Sequence, residues 1–146
     1  MQTINKHATD IFLNLIGQLG DTSFICFQSA NGPPLFLEYY GALQSGFGDG
    51  RVCSLMQTKM KGNEAIREPE IFFLVFTDDP ANIFQGICPY SYQMDSAGIH
   101  ERSMVFRPQG HLELNLSLQQ RHVQLANDWL VQINQQEFVL LTKKII

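Results

Sequence analysis

The sequence predicts an α+β fold in a single domain, residues 1–146: an N-terminal helix, a curved antiparallel sheet of five to six strands, and a long C-terminal helix packed on that sheet. Helical periodicity is found near both ends of the chain, whereas the middle consists of short apolar runs typical of strands. The connections between those runs are of hairpin length, and parallel strands would need crossover helices that are absent. With 146 residues, of which 45% are hydrophobic, the chain is long enough to fill one core.

The two helices are predicted from apolar spacing and capping residues. Between residues 4 and 19 apolar side chains recur every three or four positions, Asn5 or Thr3 can cap the start, and Gly20 is a natural stop. The second helix is expected to begin at a Ser117 cap. Its predicted apolar face consists of Leu118, Val123, Leu125, Ala126, Trp129, Leu130 and Ile133. Both apolar faces are expected to pack on the sheet.

Runs rich in apolar, β-branched and aromatic residues predict the strands. The predicted strands are residues 23–29, 35–41, 52–60, 71–76, 83–92 and 101–107. The β-prone tail, residues 138–146, is a candidate C-terminal edge strand, because its lysines and terminal position suit an edge.

The connections are predicted from turn formers and from polar or glycine-rich composition. Residues 30–34 and 77–80 are predicted turns, and 95–98 connects the last two strands. The glycine-rich residues 41–50 are expected to form a mobile loop, and residues 61–68 a polar connector that enters the next strand at Pro69.

The strand IFFLVF, residues 71–76, is apolar on both of its faces, which places it in the middle of the sheet. If both helices lie on one face of the sheet, the other face needs cover. Either the sheet curls round a pocket, or a second subunit covers it.

Composition argues against several classes of protein. The net charge is −4 and the basic residues are scattered, whereas nucleic-acid binding needs clustered Lys and Arg. Only 16% of residues are charged, so weak electrostatic repulsion makes a homodimer plausible. No apolar run approaches the ~20 residues of a membrane span, and no signal-peptide core follows the N-terminus. A cytoplasmic protein without membrane attachment is expected.

No metal site, cofactor or catalytic set is predicted. Cys26, Cys53 and Cys88 are an odd number without a CxxC pair, and they are expected to be small buried hydrophobes. His111 and His122 have no third ligand at useful spacing. The sequence also lacks a GxSxG elbow and the GK[ST] ending of a phosphate-binding loop.

Acidic and aromatic residues on the predicted strands are the candidate ligand-binding residues. An alternation of period two puts Glu38 with Tyr40 on one face, and Tyr90 with Tyr92 on one face, while Glu70 precedes the 71–76 strand. Hydroxyls and a carboxylate on a concave sheet would suit a small apolar or aromatic ligand. The alternative is that the tyrosines close the rim of the core with their hydroxyls in water.

Phe47, Asp95 and His100 complete the candidate set. Phe47 lies within the glycine-rich stretch and is expected to fold over a ligand as a lid. His100 follows Asp95 closely, and a histidine beside a carboxylate can act as a general base. Alternation, however, sends His100 and Glu101 to opposite faces, so a surface histidine with an ion-pairing neighbour is the simpler interpretation.

Three segments in a fixed order, EPEIFF, PYSYQMDSAGI and LQQRHVQLANDWLVQINQQEF, resemble a family of small bacterial α+β domains of unknown function found on plasmids and mobile elements. The matching residues are Pro69, Glu70, Pro89, Ser91 or Tyr92, Asp95, Gly98, Trp129 and Leu130. Glu68 stands where aspartate is more usual, and Phe138 follows Glu137 where a glycine would precede the aromatic. The resemblance covers residues 67–138 and implies a fold and a genomic setting, with no activity attached.

Three functional hypotheses follow. The favoured one is a non-catalytic accessory domain that binds itself or a protein partner through an exposed sheet face. The second is a small-molecule binding protein with a pocket between sheet and helices. The third is an enzyme that uses His100, Asp95 or Glu70 as acid or base.

Overall fold

The computed structural model describes residues 1–29, 32–76, 82, 85–136 and 138–145. The helices are α1 (Lys6–Ile16) and α2 (Leu116–Gln135). The strands are β1 (Thr22–Ser29), β2 (Gly32–Ser45), β3 (Gly48–Lys61), β4 (Glu64–Phe76), β5 (Gly86–Met94), β6 (Ile99–Arg102), β7 (Met104–Phe106), β8 (Leu112–Leu114) and β9 (Val139–Ile145).

Within the described residues, seven of these strands form one antiparallel sheet in the order β6-β5-β4-β3-β2-β1-β9. The short strands β7 and β8 form a separate two-stranded hairpin. The predicted α+β class is confirmed: a helix at each end of an antiparallel sheet of six strands, with the tail added at the β1 edge. None of the helices in these ranges is long and apolar enough to cross a membrane.

Asparagine caps begin both helices. The Asn5 side chain accepts a hydrogen bond from the Ala8 backbone N–H (2.8 Å) and so caps α1, which was one of the two predicted choices. For α2 the expected Ser117 cap is wrong, because Asn115 has the extended backbone of a cap and accepts from the Leu118 N–H (3.1 Å). Strand β8 ends one residue before Asn115, so the helix begins there and Ser117 falls inside its first turn.

The two hairpins around β3 are longer and tighter than the sequence suggests. The expected mobile loop at residues 41–50 is wrong: β2 and β3 pair along it, leaving Gly46 and Phe47 as a two-residue turn. The polar connector at residues 61–68 is likewise mostly strand, with a turn at Gly62 and Asn63. In both places cross-strand pairing outweighs the weak strand preference of glycine and polar residues.

Three predicted boundaries also change. Gly32 and the two prolines after it belong to β2, and the predicted 83–92 strand is observed from Gly86 to Met94. The predicted 101–107 strand is split between β6 and β7. The predicted turn at residues 77–80, the residues 30–31 and the residues 83–84 lie outside the described part of the chain.

The side chains of β4 divide between two cores. Ile71, Phe73 and Val75 point to the helix side of the sheet, where Phe73 packs on Phe12 of α1 with ring centroids 4.5 Å apart. Leu74 and Phe76 point to the opposite side, which we call the second face. This division explains why IFFLVF is apolar at every position.

The chain itself covers part of the second face. Leu74 and Phe76 form a buried cluster with Cys88, Tyr90 and Met104, and Met104 belongs to the β7–β8 hairpin. Other residues of the hairpin, Phe106, Leu112 and Leu114, pack against this cluster. Over this part of the sheet the cover is therefore neither a curled sheet nor a second subunit.

Candidate functional site

Two neighbouring rows of side chains lie on the second face, and each row runs across the strands of the sheet. Residues directly opposite each other on antiparallel strands point to the same side, so the register of pairing defines each row. The first row is Phe24, Glu38, Ser54, Phe72, Ser91 and Arg102. The second row is Cys26, Phe36, Met56, Glu70, Gln93 and His100. We call these two rows, together with Tyr40, the open face.

The open face is aromatic near β1 and β2. Phe24 and Phe36 pack against each other with ring centroids 5.9 Å apart. Both rings are partly exposed, as is Met56, and none of the three belongs to either buried cluster. This half of the second face therefore stays in contact with solvent.

Tyr40 lies on the open face, at a β-bulge. The register of β2 against β3 shifts between Tyr39 and Gly41, so Tyr40 is an extra residue on its strand. Its ring packs on Phe72 (5.3 Å between centroids), and its hydroxyl lies 3.5 Å from the Ser54 Oγ. Partial burial, with a hydrogen bond to Glu38, raises the pKa of Tyr40 to about 12, although 51% of the residue is exposed.

Glu70 is a largely buried carboxylate of this region, with 12% of its side chain exposed. Burial raises the pKa of the Glu70 carboxyl, and the Glu38 carboxylate adds to the rise, while Arg67 opposes it. The Arg67 guanidinium lies 3.7 Å from Glu70 Oε1. Glu38 and Glu70 thus form a negative pair beside the exposed Tyr40 ring.

Asp95 binds Arg67 and His100 at the far end of the open face. Its carboxylate accepts from the Arg67 backbone N–H (2.8 Å) and from the Arg67 guanidinium (3.0 and 3.2 Å), and His100 Nε2 lies 2.9 Å away. These hydrogen bonds, those from Arg67 first, hold the pKa of Asp95 well below its usual range. Asp95 acts here as an anchor for Arg67 rather than as a group poised to exchange protons at neutral pH.

The structure thus brings five of the eight predicted ligand-binding residues onto or beside the open face. They are Glu38, Tyr40, Glu70, Asp95 and His100.

The other three predicted residues lie elsewhere. Tyr90 is on the second face but is buried under the hairpin, where its ring packs on Phe106 (5.1 Å). The expectation that Tyr92 shares its face is wrong, since Tyr92 belongs to the helix-side core. Phe47 lies in the β2–β3 turn and packs on the second-face cluster, which does not match the predicted lid.

A bulge in β5 separates the two tyrosines. Phe72 pairs with Ser91 while Phe73 pairs with Pro89, so Tyr90 is the additional residue and points to the same side as Ser91. Side chains alternate again from Ser91 onwards, so Tyr92 points to the helix side of the sheet. Glu38, Tyr40, Tyr90 and Tyr92 therefore do not line one pocket.

The sequence reasoning missed a buried serine–histidine–glutamate set. Ser103 Oγ lies 2.8 Å from His122 Nδ1, and His122 Nε2 lies 3.3 Å from Glu101 Oε1. His122 is 0% and Ser103 2% exposed, so the serine is not presented to a substrate and the set holds α2 to the β6–β7 junction. Its signal in the sequence was the position of His122 within the buried stripe of α2.

In the described part of the chain, no group of three or more His, Cys, Asp or Glu side chains is placed to hold a metal ion.

Residues 10–139 match a family described as a domain of unknown function, DUF6908. Neither a curated protein nor a solved structure matches the chain. The match extends the similarity from residues 67–138 back into the first helix, and the family description names no activity.

Proposed function

The chain belongs to DUF6908, a family of domains of unknown function, and we propose that it is a non-catalytic binding domain whose open face receives a basic segment of a partner protein. The observation that carries the proposal is the half-exposed Tyr40 ring beside the carboxylates of Glu38 and Glu70. A cation that sits over an aromatic ring and next to carboxylates gains from both contacts.

The charge around Tyr40 supports a basic partner. The nearest cation, Arg67, donates its side-chain hydrogen bonds to Asp95 and is farther from Glu70, at 3.7 Å. Arg67 therefore offsets the negative charge of Glu70 only in part. A Lys or Arg side chain of a partner would contact the Tyr40 ring and the two carboxylates.

The same charges disfavour self-association through this surface. In a symmetric dimer the same patch of both copies meets, so the carboxylates of Glu38 and Glu70 from both copies would be brought into one interface. Repulsion at such close quarters weakens the contact. A homodimer, which the low charge of the sequence makes plausible, is more readily formed through another surface.

The proposal also includes the genomic and cellular setting of the domain. The resemblance over residues 67–138 supports a role as an accessory domain on a bacterial plasmid or mobile element. A cytoplasmic location fits the three free cysteines, two of which are buried in the cores.

Peptide display tests the proposal and does not require the partner to be identified first. Random heptapeptides are selected on the immobilised protein, and the enriched sequences are expected to carry Lys or Arg next to an aromatic or apolar residue. The dissociation constant of a selected synthetic peptide should rise roughly tenfold in Tyr40→Ala and in Glu38→Gln, the scale of one cation–π or charged contact. Circular dichroism confirms that both variants fold.

The matched control is Glu113→Gln, an exposed carboxylate on β8 that pairs with Arg107. It removes the same charge away from the open face and should leave peptide affinity unchanged. Enriched peptides without basic residues, or peptides that bind Tyr40→Ala and Glu38→Gln as tightly as the wild type, would contradict the proposal.

A further inference from the structure

A cleft of about 380 Å³ lies between α2 and the sheet, on the side opposite the open face. Strands β3, β4 and β5 form its floor and α2 one wall. The residues that matter for its chemistry are Gln57, Glu68, Tyr92, Asp128, Trp129 and Gln132. Its volume is far larger than the roughly 30 Å³ that one water molecule occupies, so it has room for a small organic molecule.

Glu68 has a buried oxygen atom without a hydrogen-bond partner. Glu68 Oε1 accepts a hydrogen bond from the Ser96 hydroxyl (2.5 Å), whereas Oε2 is buried and has no partner. It is the one such side-chain atom within the described residues. A buried carboxylate oxygen without a donor costs stability, and a rotation of the Glu68 carboxylate that brings Oε2 to a donor in the cleft would remove that cost.

Local pairing places Glu68 beside the cleft. The register of β3 against β4 shifts between Met56 and Thr58, so Gln57 lies opposite the Glu68–Pro69 pair at a bulge. Gln57 points to the helix side and is 4% exposed. Proline is tolerated there because the bulge interrupts the ladder of backbone hydrogen bonds.

The aromatic walls of the cleft are fixed in advance. The Trp129 indole N–H donates to Gln57 Oε1 (3.1 Å), and the Gln57 amide donates to the Pro33 carbonyl (3.2 Å) and to Gln136 Oε1 (2.9 Å). Trp129 and Tyr92 are each 7% exposed. A ligand would therefore meet rings that need little rearrangement, which favours binding.

We propose that this cleft binds a small organic cation with a primary ammonium group, and that the Glu68 carboxylate turns towards the cleft so that Oε2 accepts a hydrogen bond from that group. Glu68 and Asp128 give the cleft two carboxylates, and no Lys, Arg or His is among the described residues that line it. The ammonium group supplies the donor that Oε2 lacks, and the rings of Trp129 and Tyr92 favour a cation over a neutral molecule. The site is independent of the open face.

Fluorescence of Trp129 tests the proposal, because Trp129 is the only tryptophan of the chain and lines the cleft. The probes are 1,4-diaminobutane and n-butylamine, with n-butanol as the neutral analogue and sodium chloride at matched ionic strength. A saturable change is expected with the two amines and not with n-butanol or sodium chloride. The dissociation constant for 1,4-diaminobutane should rise at least tenfold in Glu68→Gln and less in Asp128→Asn.

Thermal unfolding separates a ligand-binding role of Glu68 from a structural one. Glu68→Gln removes the unpaired charge and keeps an oxygen that can accept from Ser96, so its Tm without amine should equal or exceed that of the wild type. The wild type should gain Tm on addition of 1,4-diaminobutane and the variant should gain much less. Asp128→Asn, at an exposed position on α2, serves as the second variant if Glu68→Gln folds poorly.

Glu113→Gln is again the charge-matched control, since Glu113 is exposed and does not line the cleft. Its affinity for 1,4-diaminobutane should equal that of the wild type. Three results would overturn the proposal: no saturable change with either amine, an equal response to n-butanol or sodium chloride, or unchanged amine affinity in Glu68→Gln.

Discussion

His122 is a titratable group at the centre of the contact between α2 and the sheet. It is fully buried, its ring nitrogens lie near Ser103 and Glu101, and the Tyr92 ring is 6.3 Å away. Burial lowers the pKa of His122 from its usual 6.5, although the Glu101 carboxylate opposes the shift. In the unfolded chain the imidazole takes up its proton at higher pH than in the folded protein.

We therefore expect the free energy of unfolding to fall as the pH drops below 6.5, because only the unfolded state then gains the proton readily. Urea denaturation at pH 7.5 and at pH 5.5 measures the difference. His122→Gln should reduce this pH dependence, whereas the exposed His111→Gln should retain it. A His122→Gln profile with the same slope as the wild type would show that other groups cause it.

Asp95 contributes stability of the same pH sense as His122, in a more acidic window. Its pKa is depressed from 3.8 by hydrogen bonds from Arg67 and His100, so its contribution is present at neutral pH and is lost as the pH falls below that value. Asp95→Asn should cost about 2 kcal/mol at pH 7, the scale of hydrogen bonds to a charged group. The deficit should shrink in urea denaturation at pH 3. Glu113→Gln breaks an exposed ion pair and should cost much less than Asp95→Asn.

The β-bulge at Tyr90 also explains why one part of the candidate site could be predicted from the sequence and another could not. Glu38 and Tyr40 share a face as alternation suggests, and Tyr90 and Tyr92 do not, because Tyr90 is the extra residue of a bulge. A bulge depends on how a strand pairs with its neighbour, and the alternation of side chains along one strand carries no information about that pairing. The contact between Glu101 and His122 likewise joins two separate elements, β6 and α2, so no pattern within either segment predicts it.

At the scale of elements, the start of α2 can be tested directly. Asn115→Ala removes the side chain that accepts from Leu118 N–H and should lower the free energy of unfolding by about 1 kcal/mol. Ser117→Ala lies in the first turn, is exposed, and should change stability by less than about 0.5 kcal/mol. Urea denaturation of the two variants measures both values. A larger loss for Ser117→Ala would restore the cap that the sequence suggested.

Elements with strong periodicity were predictable, and elements defined by pairing were less so. The apolar stripes of α1 and α2 identified both helices, and the double-sided IFFLVF run identified the central strand. The β2–β3 hairpin was interpreted as a loop because its glycines have low strand propensity. Gly48, with φ +115, and the turn before it instead allow the two strands to stay paired to their ends.

At the scale of the whole molecule, the sheet separates two apolar clusters that each contain one buried cysteine. Cys53 (2% exposed) belongs to the helix-side core, and Cys88 (0% exposed) belongs to the cluster beneath the β7–β8 hairpin. Burial raises the pKa of Cys53 to about 11 and that of Cys88 to about 12, so neither thiol reacts well until it is exposed. The two thiols therefore report separately on the two sides of the sheet.

The two sides should open with different free energies, because the cover of Cys88 is a hairpin of two three-residue strands, whereas Cys53 lies under two helices. In a Cys26→Ser background, which removes the half-buried thiol, we expect a disulfide reagent to label Cys88 faster than Cys53 and with a weaker dependence on urea.

Met104→Ala should speed the labelling of Cys88 in the absence of urea, since Met104 is the fully buried residue of the hairpin. Ile133→Val truncates the helix-side core instead and should act on both thiols together through global unfolding. Equal labelling rates with equal urea dependence for Cys53 and Cys88 would mean that the hairpin opens only when the whole domain unfolds. In that case the covered part of the second face would be as permanent as the core, and the open face would be the only part of that side available to a partner without unfolding.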